Sequence, residues 1–317
     1  MYKERKLKKG SCMKVLVTGA TGLVGKKLVA ALINKGHLVT ITTRDESKAK
    51  TIFNNQVKIV TWSDYNSPLP VEALNGVDSV IHLMGENIGA KRWSKKQKEI
   101  LRDSRIKSAK NIIQTLVTNK LKLKSFITSS AIGIYPVNLQ DKLIETSPNA
   151  SNFLATLCAE WERSSQNSDV VERHVAIRTG VVLGEKEGAM AKLLPLFKLF
   201  LGGPIGDGTQ MMSWVHVDDL VNIYIEALEN DSLQGAVNAV SPNAVDNFTF
   251  SKALADSLHR PSLLLTPALP LKIILGEMST VVLDSQYVYP DRLVKHGFKF
   301  NYADINDAFR NLYQNKA

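Results

Sequence analysis

The chain has 317 residues, 44 % of them hydrophobic, with 40 basic against 30 acidic side chains and a net charge of +10 at neutral pH. That size fits one large domain or a core domain with a smaller lobe, and no apolar run reaches the ~20 residues that span a bilayer. The two cysteines, Cys12 and Cys158, form no disulfide framework and have no metal-ligand company, so the expected setting is a reducing cytoplasm with no metal.

The charge is unevenly placed. Residues 1–12 carry Lys3, Arg5, Lys6, Lys8 and Lys9 against Glu4, a net +4, which leaves +6 for the rest. Met13 stands directly before the first strand. The segment lacks the apolar stretch of a secretory signal and is expected to be a disordered extension.

Residues 14–18 read as a buried parallel strand. Residues 23–33 carry apolar side chains at helical spacing, with Gly36 as the stop. Between them lies Gly19-Ala20-Thr21-Gly22-Leu23-Val24-Gly25, a G-x-x-G-x-x-G turn. Strand, glycine turn and helix in that order form a dinucleotide-binding unit. Gly19 turns the chain tightly, Gly22 lets backbone approach a pyrophosphate, and Gly25 lets the helix pack close; free N–H groups at the helix start face the phosphates. Gly19, Thr21, Gly22, Leu23, Val24 and Gly25 are therefore candidate cofactor contacts.

Residues 37–43 read as the second strand, and Arg44 ends it. A site for NAD(H) usually has an acid there for the ribose 2′-hydroxyl, whereas an arginine suits a 2′-phosphate. Asp45 comes one position late. The expected cofactor is NADP(H) in preference to NAD(H).

Strand and helix patterns then alternate. Strands are expected at 57–60, 79–84, 125–129 and 174–178, and helices at 95–117 and 153–165. Ligands in such sheets bind beyond the carboxyl ends of strands, which places Met84 and Gly85 on the adenosine side. Residues 91–110 are rich in lysine and arginine, but Trp93 is the one aromatic among them and no nucleic-acid motif accompanies it. This argues against nucleic acid as a partner. Beyond Arg178 the texture becomes irregular: an apolar helix at 193–201 stops at Gly202-Gly203-Pro204, and a second apolar segment spans 263–275. The expected fold is α/β, a Rossmann-type doubly wound parallel sheet over residues 13–180. A smaller C-terminal substrate lobe over 181–317 returns segments near 214–240 to the core.

With the glycine turn, Arg44, Ser129-Ser130 and the run Trp214-Val215-His216-Val217-Asp218-Asp219, the chain resembles the NAD(P)-dependent epimerase/dehydratase family, the extended or atypical short-chain dehydrogenase/reductases. Residues 85–93, 130–135, 153–162 and the C-terminal run through Gly276-Glu277, Pro290-Asp291-Arg292-Leu293 and Gly297-Phe298 carry a closer likeness. It is to the "epimerase family protein" subgroup with a C-terminal domain of unknown function. The wider family uses a Tyr-x-x-x-Lys pair on the helix after the serine-bearing strand. Here the equivalent positions are Phe153 and Leu157, which can neither transfer a proton nor tune one.

Other groups must therefore do any chemistry. The resemblance matches Ser130 to a serine that hydrogen-bonds a substrate oxygen. Tyr135 is the remaining candidate acid, against the alternative of a packed loop aromatic. Arg105 stands where many extended members keep an asparagine facing the sheet, and counts as a candidate cofactor contact. His216 heads a helix with Asp218 and Asp219, which reads as capping. His82 reads as a satisfied core histidine. Glu160 and Glu162 stay open between solvated and substrate-facing roles. Three functions remain: an NADP(H)-dependent oxidoreductase on an unknown carbonyl or alcohol, a nucleotide-sugar epimerase or dehydratase, and a non-catalytic NADP(H)-binding regulator. The expected partner is a small molecule, with a homodimer left open and no membrane contact.

Overall fold

The structure is a computed structural model that describes residues 12–185, 188–262 and 264–314. Apart from Cys12, the basic extension lies outside the described residues. Five strands come first in the chain: β1 Lys14–Thr18, β2 Leu38–Thr43, β3 Lys58–Thr61, β4 Ser79–His82 and β5 Leu123–Ala131. They join Val171–Thr179 and Gly235–Ala239 in one seven-stranded parallel sheet. The order across it is Gly235–Ala239, Val171–Thr179, β5, β4, β1, β2, β3. The order reverses beside β1, and that is where a doubly wound sheet opens its ligand crevice.

The pleat explains why helices cover both faces. Val15 and Val17 point into one buried layer with Leu28 and Leu32 of helix α1 (Leu23–Asn34). Leu16 points into the other with Ile112 and Leu116 of helix α3 (Lys95–Thr118). A strand buried on both sides must be apolar throughout, as β1 is. Helix α2 (Glu46–Phe53) follows β2, and helix α4 (Phe153–Ser164) follows β5.

After Thr179 the chain builds the second lobe. Helix α5 (Met190–Lys198), helix α7 (Asn247–Ser257) and the helix Ile305–Tyr313 share a core around Phe250, Phe309 and Trp214. Helix α6 (Val217–Glu229) returns to cover the sheet. Helix α8 (Ala268–Leu275) lies further on. The strand Gln286–Val288 pairs in parallel with Asn138–Leu143 and fastens the lobe to the first half. Among the described residues no helix is long and apolar enough to cross a membrane, and no cluster of three or more His, Cys, Asp or Glu could hold a metal.

Candidate functional site

The three glycines of the turn meet three different surroundings. Gly19 has φ +70°, and a Cβ there would stand 2.8–2.9 Å from the Leu83–Met84 backbone. Gly25 is closed in still more tightly, with Gly19 O at 2.5 Å and Ala20 carbons at 2.7 Å from such an atom. Gly22 is open: its nearest neighbour would be Gly19 O at 3.4 Å. Gly19 and Gly25 thus press the turn together, while Gly22 leaves room above the backbone.

Gly22 is also the N-cap of α1. No side chain caps that helix, and its first turn holds no acid. The neighbouring helices differ. Asp45, Ser94 and Asn152 cap α2, α3 and α4 by accepting from backbone N–H groups. The uncapped start of α1 fits an anionic group, because its N–H donors and dipole are left for one.

Arg44 follows β2, is exposed, and has no carboxylate partner among the described residues. Asp45 is occupied as the α2 cap, accepting from Lys48 N at 2.9 Å. Met84 is half-buried two residues beyond β4. Gly85 follows, and a Cβ there would meet the Arg105 guanidinium at 3.0 Å. Arg105 itself is buried, donates to the Leu101 and Glu86 carbonyls, and stacks 5.0 Å from the Trp161 ring. Burial lowers it to about 10. It therefore holds the Gly85–Glu86 backbone from beneath.

Ser130 is itself buried and begins a chain of buried polar groups. Its hydroxyl donates to Glu162 Oε1 at 2.7 Å. Arg178 grips the same carboxylate from two sides, Nε to Oε1 at 2.8 Å and Nη2 to Oε2 at 2.9 Å. Arg178 Nη1 donates to the Tyr135 hydroxyl at 2.8 Å, and Tyr135 donates to Asn238 Oδ1 at 2.7 Å. Burial alone pulls the Arg178 guanidinium down, but Glu162 outweighs it and leaves the group above its ordinary range. A cavity of about 360 Å³ lined by Asn149, Ala159, Glu162, Arg163 and Gln166 reaches the outer side of this carboxylate.

Tyr135 is fully buried, with its hydroxyl committed at both ends. Burial pushes its phenol above the usual value, only partly offset by Arg178. The geometry is that of a packed loop aromatic, and it does not bring Tyr135 to the crevice as an acid. Cys158, also buried near Ser130, has its thiol pushed up to about 11 by burial. His216 caps α6 by accepting from Asp218 N at 3.2 Å. His82 is held between Thr18 Oγ1 at 2.7 Å and Ser108 Oγ at 3.0 Å, and burial lowers it to about 4. Glu160 pairs on the surface with Arg102 at 2.7 Å.

Phe153 and Leu157 occupy the slots of the missing acid–base pair, and both sit in one apolar cluster. Trp93 packs edge-on to Phe153 with ring centroids 5.4 Å apart. Leu101, Ile106 and Leu157 lie beneath, and Met278 and Leu275 arrive from the C-terminal lobe. Sequence reading missed this contribution and the Glu162–Arg178 pair. The available signal for the latter was Arg178 itself, a charge at the end of an apolar strand that needs a carboxylate nearby.

A cavity of about 620 Å³ beside His174, Gly235, Arg292 and His296 lies at the start of the Gly235–Ala239 strand, whereas the crevice lies at the opposite, carboxyl ends.

A parallel sheet with a glycine turn at its switch point defines a dinucleotide-binding fold. Residues 15–239 match the NAD dependent epimerase/dehydratase family, and residues 266–312 match a domain of unknown function, DUF1731. The chain belongs to the NAD-dependent epimerase/dehydratase family. A chloroplastic epimerase family protein of Arabidopsis thaliana, the SDR39U1 homolog, is 37 % identical over 96 % of this chain and 88 % of its own length. The human epimerase family protein SDR39U1, solved with NADPH, superposes with a TM-score of 0.85 at 28 % identity, covering 96 % of this chain and all of that one. A nucleoside-diphosphate sugar epimerase of Corynebacterium glutamicum gives a TM-score of 0.75 at 30 % identity, covering 96 % of this chain and 59 % of that one.

Proposed function

We propose that this chain is an NADP(H)-dependent oxidoreductase acting on a carbonyl or alcohol compound. The observation that carries the reading is Arg44, exposed and free of a carboxylate, beside an Asp45 already used as a helix cap. Thr21, Gly22, Leu23 and Val24 would meet the pyrophosphate at the open, uncapped start of α1, with Gly19 and Gly25 holding the turn. Met84 and Gly85 would line the adenosine side, with Arg105 supporting Gly85. The human relative solved with NADPH supports the phosphorylated cofactor.

The bound cofactor supplies hydride transfer at nicotinamide C4. Ser130 is the side chain we assign to the substrate oxygen. Its proton already lies on the path to Glu162, so it can accept a hydrogen bond from a substrate hydroxyl. A bound NADP⁺ would take the hydride of an alcohol's C–H, and the chain's own residues would take the hydroxyl proton. That proton passes to Ser130 Oγ as the Ser130 proton moves by way of Glu162 to solvent in the cavity beside it, so that the carboxylate keeps its charge beside Arg178. Reduction of a carbonyl runs the same steps backwards. Tyr135 takes no part. With both cysteines free, we read the setting as a reducing compartment such as the cytoplasm.

Isothermal titration with NADPH and NADH tests the cofactor reading. NADPH should bind at least tenfold more tightly, and equal or tighter NADH binding refutes it. Phe153 and Leu157 favour a second reading, a cofactor-binding regulator without turnover. Cofactor binding with no consumption across a broad carbonyl panel would select it. Retained NAD⁺ in the purified protein would instead point to epimerase chemistry.

A further inference from the structure

The apolar cluster at the missing acid–base pair does not end at the protein's interior. Leu275 packs on it from the C-terminal end of α8, and Met278 follows, itself 8 % exposed. Helix α8 leads away from that anchor with no buried residue of its own. Leu269, Ile273 and Ile274 stand between 66 and 68 % exposed along it. Leu264 and Leu265, just before the helix, are also exposed. Leucine and isoleucine side chains left in water along one short helix form the kind of apolar patch that marks a binding surface.

Three of the cations around this junction are already engaged. Lys98 pairs with Glu277, Arg102 pairs with Glu160, and Lys192 donates to the Gly89 carbonyl. Arg92 lies against Gly276 and the exposed Lys272 stands on α8 itself, and these two form the polar edge of the surface. A nucleotide sugar needs cations for its diphosphate and hydrogen-bonding partners for its hydroxyls, because each polar group buried unpaired costs about 1–3 kcal/mol. The face made by the half-buried Phe153 and the exposed Ile273 and Ile274 offers neither. It offers area that gains roughly 25 cal/mol per Å² when a hydrocarbon covers it.

We infer that the substrate is an apolar carbonyl or secondary-alcohol compound. Its hydrocarbon body lies along Ile273 and Ile274, and its reactive carbon reaches Phe153. The inference rests on the oxidoreductase reading above. Continuity through Leu275 assigns the α8 face to the site's own ligand rather than to a second copy of the chain.

The test uses the full chain saturated with NADP⁺, so that a ketone can bind without turning over. 2-Nonanone and UDP-glucose are titrated separately by calorimetry, into the parent protein and the Ile273→Ser/Ile274→Ser variant. Both substituted side chains are exposed, so the variant should fold. The expected result is 2-nonanone binding that weakens about tenfold in the variant, unchanged NADP⁺ affinity, and no heat from UDP-glucose. Three results overturn the inference: no 2-nonanone binding, tighter binding of UDP-glucose, or a dimer by sedimentation that the variant dissociates. If neither NADP⁺ nor NADPH binds, the oxidoreductase reading itself fails and takes this inference with it.

Discussion

Glu162→Leu removes the carboxylate on which the Ser130 network turns. The two side chains of the pair are 11 % and 9 % exposed, so water can do little for a charge left alone there. Without Glu162, Arg178 loses both the Nε contact at 2.8 Å and the Nη2 contact at 2.9 Å. It keeps only the Tyr135 hydroxyl and the Glu145 carbonyl, both on Nη1. Breaking a buried pair from one side costs about 3–5 kcal/mol, whereas replacing both partners with apolar side chains can be near neutral. Ser130 also loses the acceptor of its proton, which adds about 1 kcal/mol. Glu162→Leu should therefore lower stability by about 4–6 kcal/mol, and the double variant Glu162→Leu/Arg178→Met by much less than the two single losses combined. Urea unfolding reads this as a lower midpoint at unchanged slope. A single loss below about 1 kcal/mol, or losses that simply add, would refute the argument that each charge is tolerated because of the other.

The same substitution at two glycines should give opposite outcomes. Gly25→Ala puts a Cβ 2.5 Å from Gly19 O and should lower stability by roughly 1–3 kcal/mol through displacement of α1. Gly22→Ala meets nothing closer than 3.4 Å, so its melting temperature should hold while NADPH affinity falls about tenfold by calorimetry. Arg44→Ser should weaken NADPH about tenfold or more and leave NADH unchanged; an equal loss for both would assign Arg44 to the surface. His82 and His174 are each lowered by burial to about 4 from a model-compound value of 6.5. The unfolded chain therefore binds protons that the folded one refuses. Their contribution is full above pH 6.5 and is lost as pH falls toward 4, at up to about 1.4 kcal/mol per pH unit for each histidine. Stability measured across that window should decline with acid, and His174→Gln should flatten the decline.

Local chemistry was readable in the sequence and long-range pairing was not. The strands beside the glycine turn announce themselves because a strand covered on both faces, such as Val15-Leu16-Val17, has to be uniformly apolar. The turn is legible because only glycine tolerates both the φ of Gly19 and the crowding at Gly25. Arg178 and Glu162 are 16 residues apart on a strand and a helix, and no spacing rule joins them. Gln286–Val288 finds Asn138–Leu143 across about half the chain, so neither short segment carries a signal of its partner. Tyr135 misled because a tyrosine close to a serine in sequence says nothing of which way its hydroxyl points. Here it points inward, to Asn238.

Glu145 accepts from the backbone N–H groups of Asn238 and Arg292, one on the edge strand and the other in the C-terminal region. Asp219 likewise accepts from Asn301 and Tyr302, and Ser213 from Val288. Buried side chains of the family's common core thus stitch the tail's backbone directly into it. Two segments joined in this way should melt as one cooperative unit, and a chain ended near residue 240 would leave Glu145, Asp219 and Ser213 short of the backbone donors they now hold.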